Sequence, residues 1–124
     1  MATINERNGG TKWVSKVVND FYAAALSDPQ LAPFFKGISI ASLIDHQIEF
    51  VSIALGKPTK YGGSSLFKAH QHLKISKEIF EHTVKTLLES FLKNGTSYSD
   101  MEEIDTLVRS LEDQIVTLNI KRRE

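Results

Sequence analysis

The histidine at position 70 is a side chain whose surroundings suggest chemistry. It lies in the segment Lys68-Ala69-His70-Gln71-His72-Leu73, which follows Gly62-Gly63 and precedes an amphipathic helix. A neutral imidazole is a common metal ligand, although a lone histidine on an apolar helix face is more often a hydrogen-bonded core residue. His72 follows at about 200° around a helix, so the two rings cannot chelate one metal ion from a regular helix. Taken alone, the segment leaves both interpretations of His70 open.

Three further polar side chains interrupt apolar helix faces. Tyr22 lies in the inner stripe of one predicted helix, and His46 and Gln47 lie in that of the next. A buried polar group without a partner costs about 1–3 kcal/mol, so such groups either satisfy one another or meet a ligand. The spacing fits a hydrogen-bonded core trio and also a polar pocket opposite His70. His82, at the edge of a later stripe, is expected on the surface.

Apolar residues at helical spacing indicate the elements that position these side chains. The first predicted helix has Thr11 as its N-cap and ends near Ser27. A short turn-like helix over residues 31–35 follows, and Ser39 begins a second long helix that Gly56 closes.

The second half of the chain follows the same pattern. Ser64 or Ser65 caps a brief helix around His70, and Ser76 caps a helix that Asn94-Gly95 ends. A Ser-x-x-Glu capping box at residues 99–102 begins the last helix, whose stripe extends to Leu118. Because no useful stretch alternates with period two, we predict an all-α domain of four main helices.

Composition restricts the class of protein. The 124 residues suit one domain spanning 1–124, and 15 basic against 15 acidic residues give no support for binding nucleic acid or an anionic membrane. The absence of cysteine excludes disulfides and thiolate chemistry. With no signal-like run and no stretch of about 18 apolar residues, we expect a soluble, cytoplasmic protein. Equal charge counts and the lack of an obvious exposed apolar patch favour a monomer.

Motifs of common hydrolases and nucleotide-binding proteins are missing. The chain contains no HExxH, no Walker phosphate loop, no GxGxxG and no Gly-x-Ser-x-Gly. Its acidic residues are expected on outward faces, without a buried pair for acid–base work. A hydrolase of a familiar type is therefore not expected.

Taken together, these residues resemble a truncated haemoglobin of group I, cyanobacterial type. The resemblance covers nearly the whole chain and rests on the order and spacing of Gly9-Gly10, Phe21-Tyr22, Phe34-Phe35, His46-Gln47, Phe50, Tyr61-Gly62-Gly63 and Ala69-His70-Gln71. It implies a two-over-two helical sandwich, the truncated globin fold, around one non-covalent haem b.

The resemblance also assigns roles to individual residues. His70 would be the proximal iron ligand, and Tyr22 and Gln47 would donate hydrogen bonds to a ligand on the distal side. Phe35 would lie against the porphyrin, and Leu43 takes the position of the distal histidine of other globins. Further contacts to the cofactor are expected from Phe50, Tyr61, Leu66 and Leu73.

His46 matches a histidine that binds iron from the distal side in cyanobacterial relatives when no external ligand is present. The alternative is a solvent-facing residue near a haem propionate. The chain also departs from its closest relatives, because Leu43 replaces a common Gln and Val51 stands where some members place a gating Phe. Since no histidine follows His82, a covalent link to the haem is not expected.

The resemblance implies a protein that binds O₂, NO, CO or similar small ligands. Two distal hydrogen bonds would slow O₂ release, which suits NO detoxification by dioxygenation better than oxygen delivery. That enzyme activity needs a reductase partner to restore ferrous iron. The alternatives are O₂ storage or ligand sensing without turnover, with His46 as the switch, and a haem-free helical interaction domain.

Overall fold

A computed structural model describes residues 2–56 and 73–116, and within these ranges every regular element is helical. The elements are α1 (Ile4–Asn8), α2 (Thr11–Ser27), a 3₁₀ helix (Ala32–Phe35), α3 (Ile40–Leu55), α4 (Lys77–Lys93), α5 (Tyr98–Arg109) and α6 (Glu112–Ile115). Helix α2 packs against α3 and α4, and α4 packs against α5. The pairs α2/α3 and α4/α5 form the predicted two-over-two sandwich. In the described part, no helix is long and apolar enough to cross a membrane.

Serine side chains cap both long helices that line the sandwich after α2. The Ser39 hydroxyl accepts a hydrogen bond from the Ser42 N–H at 3.4 Å, and the Ser76 hydroxyl accepts one from the Ile79 N–H at 3.1 Å. Each cap satisfies a donor that the first helical turn leaves open, which is worth about 1 kcal/mol. The predicted starts of α3 and α4 are therefore confirmed, as are the end of α3 at Gly56 and that of α4 at Asn94.

Other predicted helix boundaries were wrong. Thr11 is the first residue of α2, and its N-cap is Gly10, which offers no side-chain bond. The capping box at residues 99–102 does not form, because Ser97 is the N-cap of α5 and its hydroxyl accepts from the Asp100 N–H at 3.2 Å. Instead of one long last helix, α5 ends at Arg109 and a four-residue α6 follows.

Helix α1 was missed although it carries a capping box of its own. The Thr3 hydroxyl accepts from the Glu6 N–H, and the Glu6 carboxylate accepts from the Thr3 N–H, both at 3.1 Å. Gly9, with a φ of 118°, ends the helix in the left-handed region that favours glycine. Thr-x-x-Glu was the available signal, but five residues show too little periodicity to indicate a helix.

The core lies where the inner stripe of α2 meets α3, α4 and α5. Side chains of α2 are buried at helical spacing, namely Trp13, Val14, Val17, Val18, Phe21, Tyr22 and Ala25. Trp13 packs against Phe91 of α4 with ring centroids 5.4 Å apart, and Ile104 contributes from α5. Helix α2 is therefore the central helix of the core, and α3 and α4 pack against it.

One acidic residue departs from the expected outward placement. Asp100 of α5 is only 5% exposed and accepts hydrogen bonds from the side chains of Arg7 and Asn8 in α1. A buried carboxylate is tolerated when it is paired and hydrogen-bonded, and α1 supplies both kinds of partner. The prediction that acidic side chains lie on outward faces was therefore wrong at Asp100.

Candidate ligand-binding cavity

The sandwich encloses an apolar cavity with a volume of about 210 Å³. Its described walls come from α2, the 3₁₀ helix, α3, α4 and α5, together with residues just before α4 and in or beside α6. Aromatic rings supply much of the wall, and they are Phe21, Phe34, Phe35, Phe50, Phe80 and Phe91. Such walls bind a flat apolar molecule by excluding water from its faces.

The polar side chains among the described lining residues are Tyr22, Gln47 and Thr83. The Thr83 hydroxyl donates to the Ile79 carbonyl at 2.7 Å and is thereby satisfied within α4. Within the described residues, the Tyr22 hydroxyl and the Gln47 amide have no hydrogen-bond partner. Both groups are therefore available to a polar ligand inside the cavity, and the predicted alternative of a hydrogen-bonded core trio does not form between Tyr22, His46 and Gln47.

Packing holds the Tyr22 ring in position. It meets Phe21 and Phe35 edge to face, with ring centroids 4.9 Å and 5.5 Å apart. Tyr22 is 6% exposed, and burial raises the pKa of its hydroxyl well above the ordinary value. The phenol therefore keeps its proton at neutral pH and acts as a hydrogen-bond donor.

Of the residues that the sequence assigned to the site, five line the cavity, namely Tyr22, Phe35, Gln47, Phe50 and Leu73. Val51, the position of the gating Phe in some relatives, also lines it. Tyr61, Leu66 and His70 lie outside the described residues, as do the predicted caps Ser64 and Ser65. The structure thus brings Tyr22 and Gln47 of the predicted distal set to one cavity.

Leu43 and His46 are placed differently. Leu43 is half-buried and packs against the main core, but it is not among the described lining residues. The His46 side chain is exposed and also stands outside that lining. Neighbouring residues of a helix point about 100° apart, so a Gln47 that faces the cavity turns His46 away from it. In this conformation, His46 corresponds to the solvent-facing alternative.

The sequence did not identify the opposite walls of the cavity. Val84 and Leu87 of α4 and Ile104 and Val108 of α5 line it beside the residues of α2 and α3. Their periodic stripes indicated core positions. An apolar stripe on a helix can pack in the core or line a cavity, so periodicity did not show that these residues of α4 and α5 face the cavity.

His82 has a partner that the sequence did not reveal. Its Nε2 lies 2.5 Å from the Asp28 carboxylate, which joins α4 to the end of α2, and the ring is half-buried rather than free on the surface. This hydrogen bond holds the pKa of Asp28 below its ordinary value. Neither residue lines the cavity, so the pair belongs to the framework.

The chemistry of the described lining suits a haem that carries a small polar ligand. Aromatic and aliphatic walls suit the faces of a porphyrin, and Tyr22 and Gln47, which have no partner among the described residues, suit a ligand on its distal side. Phe35, Phe50 and Leu73 are the predicted contacts to the porphyrin in the described part of this lining.

Comparison with known proteins identifies the family. The model of the family described as bacterial-like globin matches residues 3–117. The group 1 truncated hemoglobin GlbN of Mycolicibacterium paratuberculosis is 32% identical over 116 residues, which cover 94% of this chain and 85% of that protein. GlbN of Synechocystis is 30% identical over 108 residues, covering 84% of this chain and 87% of that protein.

A solved structure agrees with this assignment. The 2/2 hemoglobin from Synechococcus sp. PCC 7002 superposes with a TM-score of 0.84 at 27% identity, covering 95% of this chain and 99% of that one. Membership of this family implies haem b as the cofactor and diatomic ligands such as O₂ bound through it. The cavity, its polar lining residues Tyr22 and Gln47 and these matches lead to one conclusion: the chain belongs to the bacterial-like globin family, as a group 1 truncated haemoglobin.

Proposed function

We propose that this globin holds O₂ with Tyr22 and Gln47 and uses it to convert NO into nitrate. The observation that carries the proposal is that Tyr22 and Gln47 line a mainly apolar cavity and have no hydrogen-bond partner among the described residues. A protein gains nothing for folding by burying such groups without partners, so a polar ligand is the reason to retain them. NO and CO are further ligands for the same position.

The remaining roles follow from the family resemblance. His70 is proposed as the proximal ligand of the iron, and Leu73, three positions later, lines the cavity. Phe35 and Phe50 would pack on the porphyrin, with Tyr61, Leu66 and Leu43 as further contacts. A neutral His70 ring leaves its second nitrogen to a hydrogen-bond acceptor, which orients the ring.

Two distal hydrogen bonds favour chemistry over rapid delivery of O₂. Each bond to a polarised ligand stabilises the bound state by about 1–2 kcal/mol. Because about 1.4 kcal/mol corresponds to a ten-fold change, Tyr22 and Gln47 together slow release roughly a hundred-fold. A globin that releases O₂ slowly keeps it in place until a second reactant arrives.

Haem, when bound, supplies ferrous iron that binds the diatomic ligand and gives the one electron by which NO and O₂ become nitrate. The chain's own residues keep water out and donate two hydrogen bonds to the oxygen. The Tyr22 proton stays on the phenol throughout, because burial raises the pKa of that group. A reductase must return the electron, and we propose a cytoplasmic location because cellular reductants act there.

Rapid mixing tests the proposed reaction. Oxygenated protein is mixed with a small excess of NO, and oxidation of the iron and formation of nitrate are followed together. We expect both within the mixing time and in equal amounts. The variant Tyr98→Phe should react like the wild type, because Tyr98 is 85% exposed and is not among the described lining residues of the cavity. Slow oxidation, or oxidation without nitrate, contradicts dioxygenation.

Ligand sensing or storage without turnover is the second candidate, and the placement of His46 supports it. His46 is exposed on α3 directly beside Gln47, so a rotation of α3 by about 100° would exchange the two side chains at the cavity. Such an exchange could report whether an external ligand is present. Rapid reaction with NO favours the enzyme, whereas exchange of His46 without turnover favours the sensor.

We also propose that the protein is a monomer. The large apolar side chains exposed in the described part are Leu26, Ile38, Leu92 and Tyr98; three of them belong to different helices, and Ile38 lies between the 3₁₀ helix and α3. This distribution over four parts of the chain supports a monomer. Light scattering of the holoprotein at several concentrations tests this, and a mass that rises to twice 13.9 kDa contradicts it.

A further inference from the structure

We propose that α1 is a clamp that holds the C-terminal end of α3 against the sandwich, with Arg7 and Asp100 as positioning residues for Gln47. The inference rests on the proposed distal role of Gln47 and extends it to residues remote from the cavity. Three observations support it: an anchor between α1 and α5, a steric contact between α1 and α3, and the continuity of α3.

The anchor is a buried carboxylate that α1 surrounds. Arg7 Nη2 lies 2.5 Å from Asp100 Oδ1, and Asn8 Nδ2 donates to Oδ2 at 3.0 Å. The Asp100 side chain is 7% exposed, and Arg7 also approaches Glu103 of α5 at 3.8 Å. The hydrogen bond from Arg7 holds the pKa of Asp100 below its ordinary value. A buried, doubly bonded carboxylate needs its partners, so α1 is fixed firmly at this end.

At its other side, α1 presses on the end of α3. A methyl group built on Gly56 would lie 2.7 Å from Thr3 Oγ1 and 2.8 Å from Asn5 Cβ, closer than real contacts allow. Gly56 has a φ of 179°, which any residue can adopt, so the backbone does not require glycine here. The lack of a side chain at Gly56 is therefore explained by the close approach of α1.

The polar bonds of α1 go to one neighbour. Among the described residues, the hydrogen bonds and ion pairs that α1 makes to other helices all go to α5. Its contact with α3 consists of packing alone. The capping box of Thr3 and Glu6 keeps the short helix intact, so a displacement at Arg7 is passed on to Thr3 and Asn5. Loosening the anchor at Asp100 therefore releases the end of α3.

Helix α3 carries that displacement to the cavity. It is continuous from Ile40 to Leu55, and Gln47 lies nine residues before Gly56, about 13 Å along the axis. A tilt at Gly56 moves Gln47 relative to Tyr22, which α2 holds by aromatic packing. The distance between the Tyr22 hydroxyl and the Gln47 amide therefore depends on the position of α1. That distance decides whether both groups can donate to the same ligand.

Two substitutions disturb the clamp from opposite sides. Arg7→Met removes the anchor while keeping much of the side-chain volume, and Gly56→Ala pushes α1 away from α3. Arg109→Met is a matched control, because the Arg109 side chain is exposed to the same 42% and its ion pairs go to Glu81 of α4 and Asp105 of α5. Gln47→Leu gives the reference for a lost distal bond.

The readouts are the C–O stretching frequency of the CO-bound holoprotein and the rate of O₂ dissociation. We expect Arg7→Met and Gly56→Ala to shift the C–O band toward that of Gln47→Leu and to raise the rate roughly three- to ten-fold. Amide hydrogen exchange of α3 should increase in both, whereas Arg109→Met should leave the band and the rate unchanged. Because the two variants act independently, a folding failure of one leaves the other as the test.

The possible failures are distinct. If Gln47→Leu changes the band and the rate but neither clamp variant does, the distal role of Gln47 stands and the clamp is wrong. The clamp is also wrong if Arg109→Met has the same effect, since loss of stability would then explain it. If Gln47→Leu changes neither readout, the proposed function fails and the clamp fails with it.

Discussion

Tyr22→Phe separates the contribution of one hydroxyl to ligand binding from its contribution to folding. The substitution removes a single oxygen atom and keeps the ring that packs between Phe21 and Phe35 at centroid distances of 4.9 Å and 5.5 Å. Within the described residues, that oxygen has no hydrogen-bond partner. The substitution should therefore weaken the binding of O₂ and raise the free energy of unfolding.

The magnitudes follow from the environment of the hydroxyl. A lost hydrogen bond to a polarised ligand costs about 1–2 kcal/mol, so O₂ should dissociate roughly five- to thirty-fold faster. In the part of the chain that the structure describes, folding of the unliganded variant loses no hydrogen bond. Since a buried hydroxyl without a partner opposes folding, we expect the free energy of unfolding to rise by up to about 1 kcal/mol.

Two measurements on the same preparations check these values. Displacement of O₂ by CO in a stopped-flow instrument gives the dissociation rate. Urea unfolding of the unliganded ferrous protein under nitrogen gives the free energy of unfolding. Tyr98→Phe makes the same chemical change at a residue that is 85% exposed, so both quantities should stay at their wild-type values.

Either of two results would refute the reasoning. Unchanged O₂ dissociation in Tyr22→Phe would mean that the hydroxyl does not reach the ligand. A loss of more than about 1 kcal/mol in unfolding free energy would mean that the hydroxyl serves the fold instead, as a core residue with a partner.

Three further predictions concern other parts of the molecule. If His46 binds the iron, the reduced wild type should show sharp split visible bands that His46→Leu abolishes; the exposed placement of His46 predicts the same broad five-coordinate spectrum for both. The hydrogen bond from Arg7 lowers the pKa of Asp100 in the folded state, so the unfolded chain takes up the proton first as the pH falls. The stability that this gives is present above the ordinary pKa of an aspartate, about 3.9, and is lost as the pH falls through the lower folded-state pKa; Asp100→Asn should flatten that loss in acid titrations. Phe80 is 1% exposed, so Phe80→Ala should lower the free energy of unfolding by about 3–5 kcal/mol in urea titrations, and a loss under 1 kcal/mol would contradict its place in the core.

Local sequence was sufficient where the physics is local. Ser39 and Ser76 begin their helices because a hydroxyl at that position meets an N–H three residues later, which depends on nothing distant. The stripe of α2 predicted its buried face for the same reason. Ser97 and Ser99 could both cap α5, and the choice of Ser97 coincides with the burial of Asp100, which the local pattern does not contain.

Site residues were predictable to the extent that they belong to a family pattern. Tyr22, Phe35, Gln47, Phe50 and Leu73 line the cavity, and their roles toward a haem stay predictions. Leu43 and His46 were assigned to the cofactor by the same pattern, but Leu43 packs against the core one turn before Gln47, and the rotation of α3 leaves His46 exposed, so neither is in the described lining. Rotation about a helix axis is decided by packing against neighbouring helices, which the order of residues does not reveal.

By itself, the sequence determined the helical class, the central helix α2 and the pair of polar residues at the cavity. Only the tertiary structure decided which distant side chains meet. Arg7 and Asp100 are 93 positions apart, and His82 and Asp28 are 54 apart. A helical period records which face of a segment is apolar, and it carries no record of the partner across the core. These two pairs meet only in the folded protein, because the packing of the helices places Arg7 beside Asp100 and His82 beside Asp28.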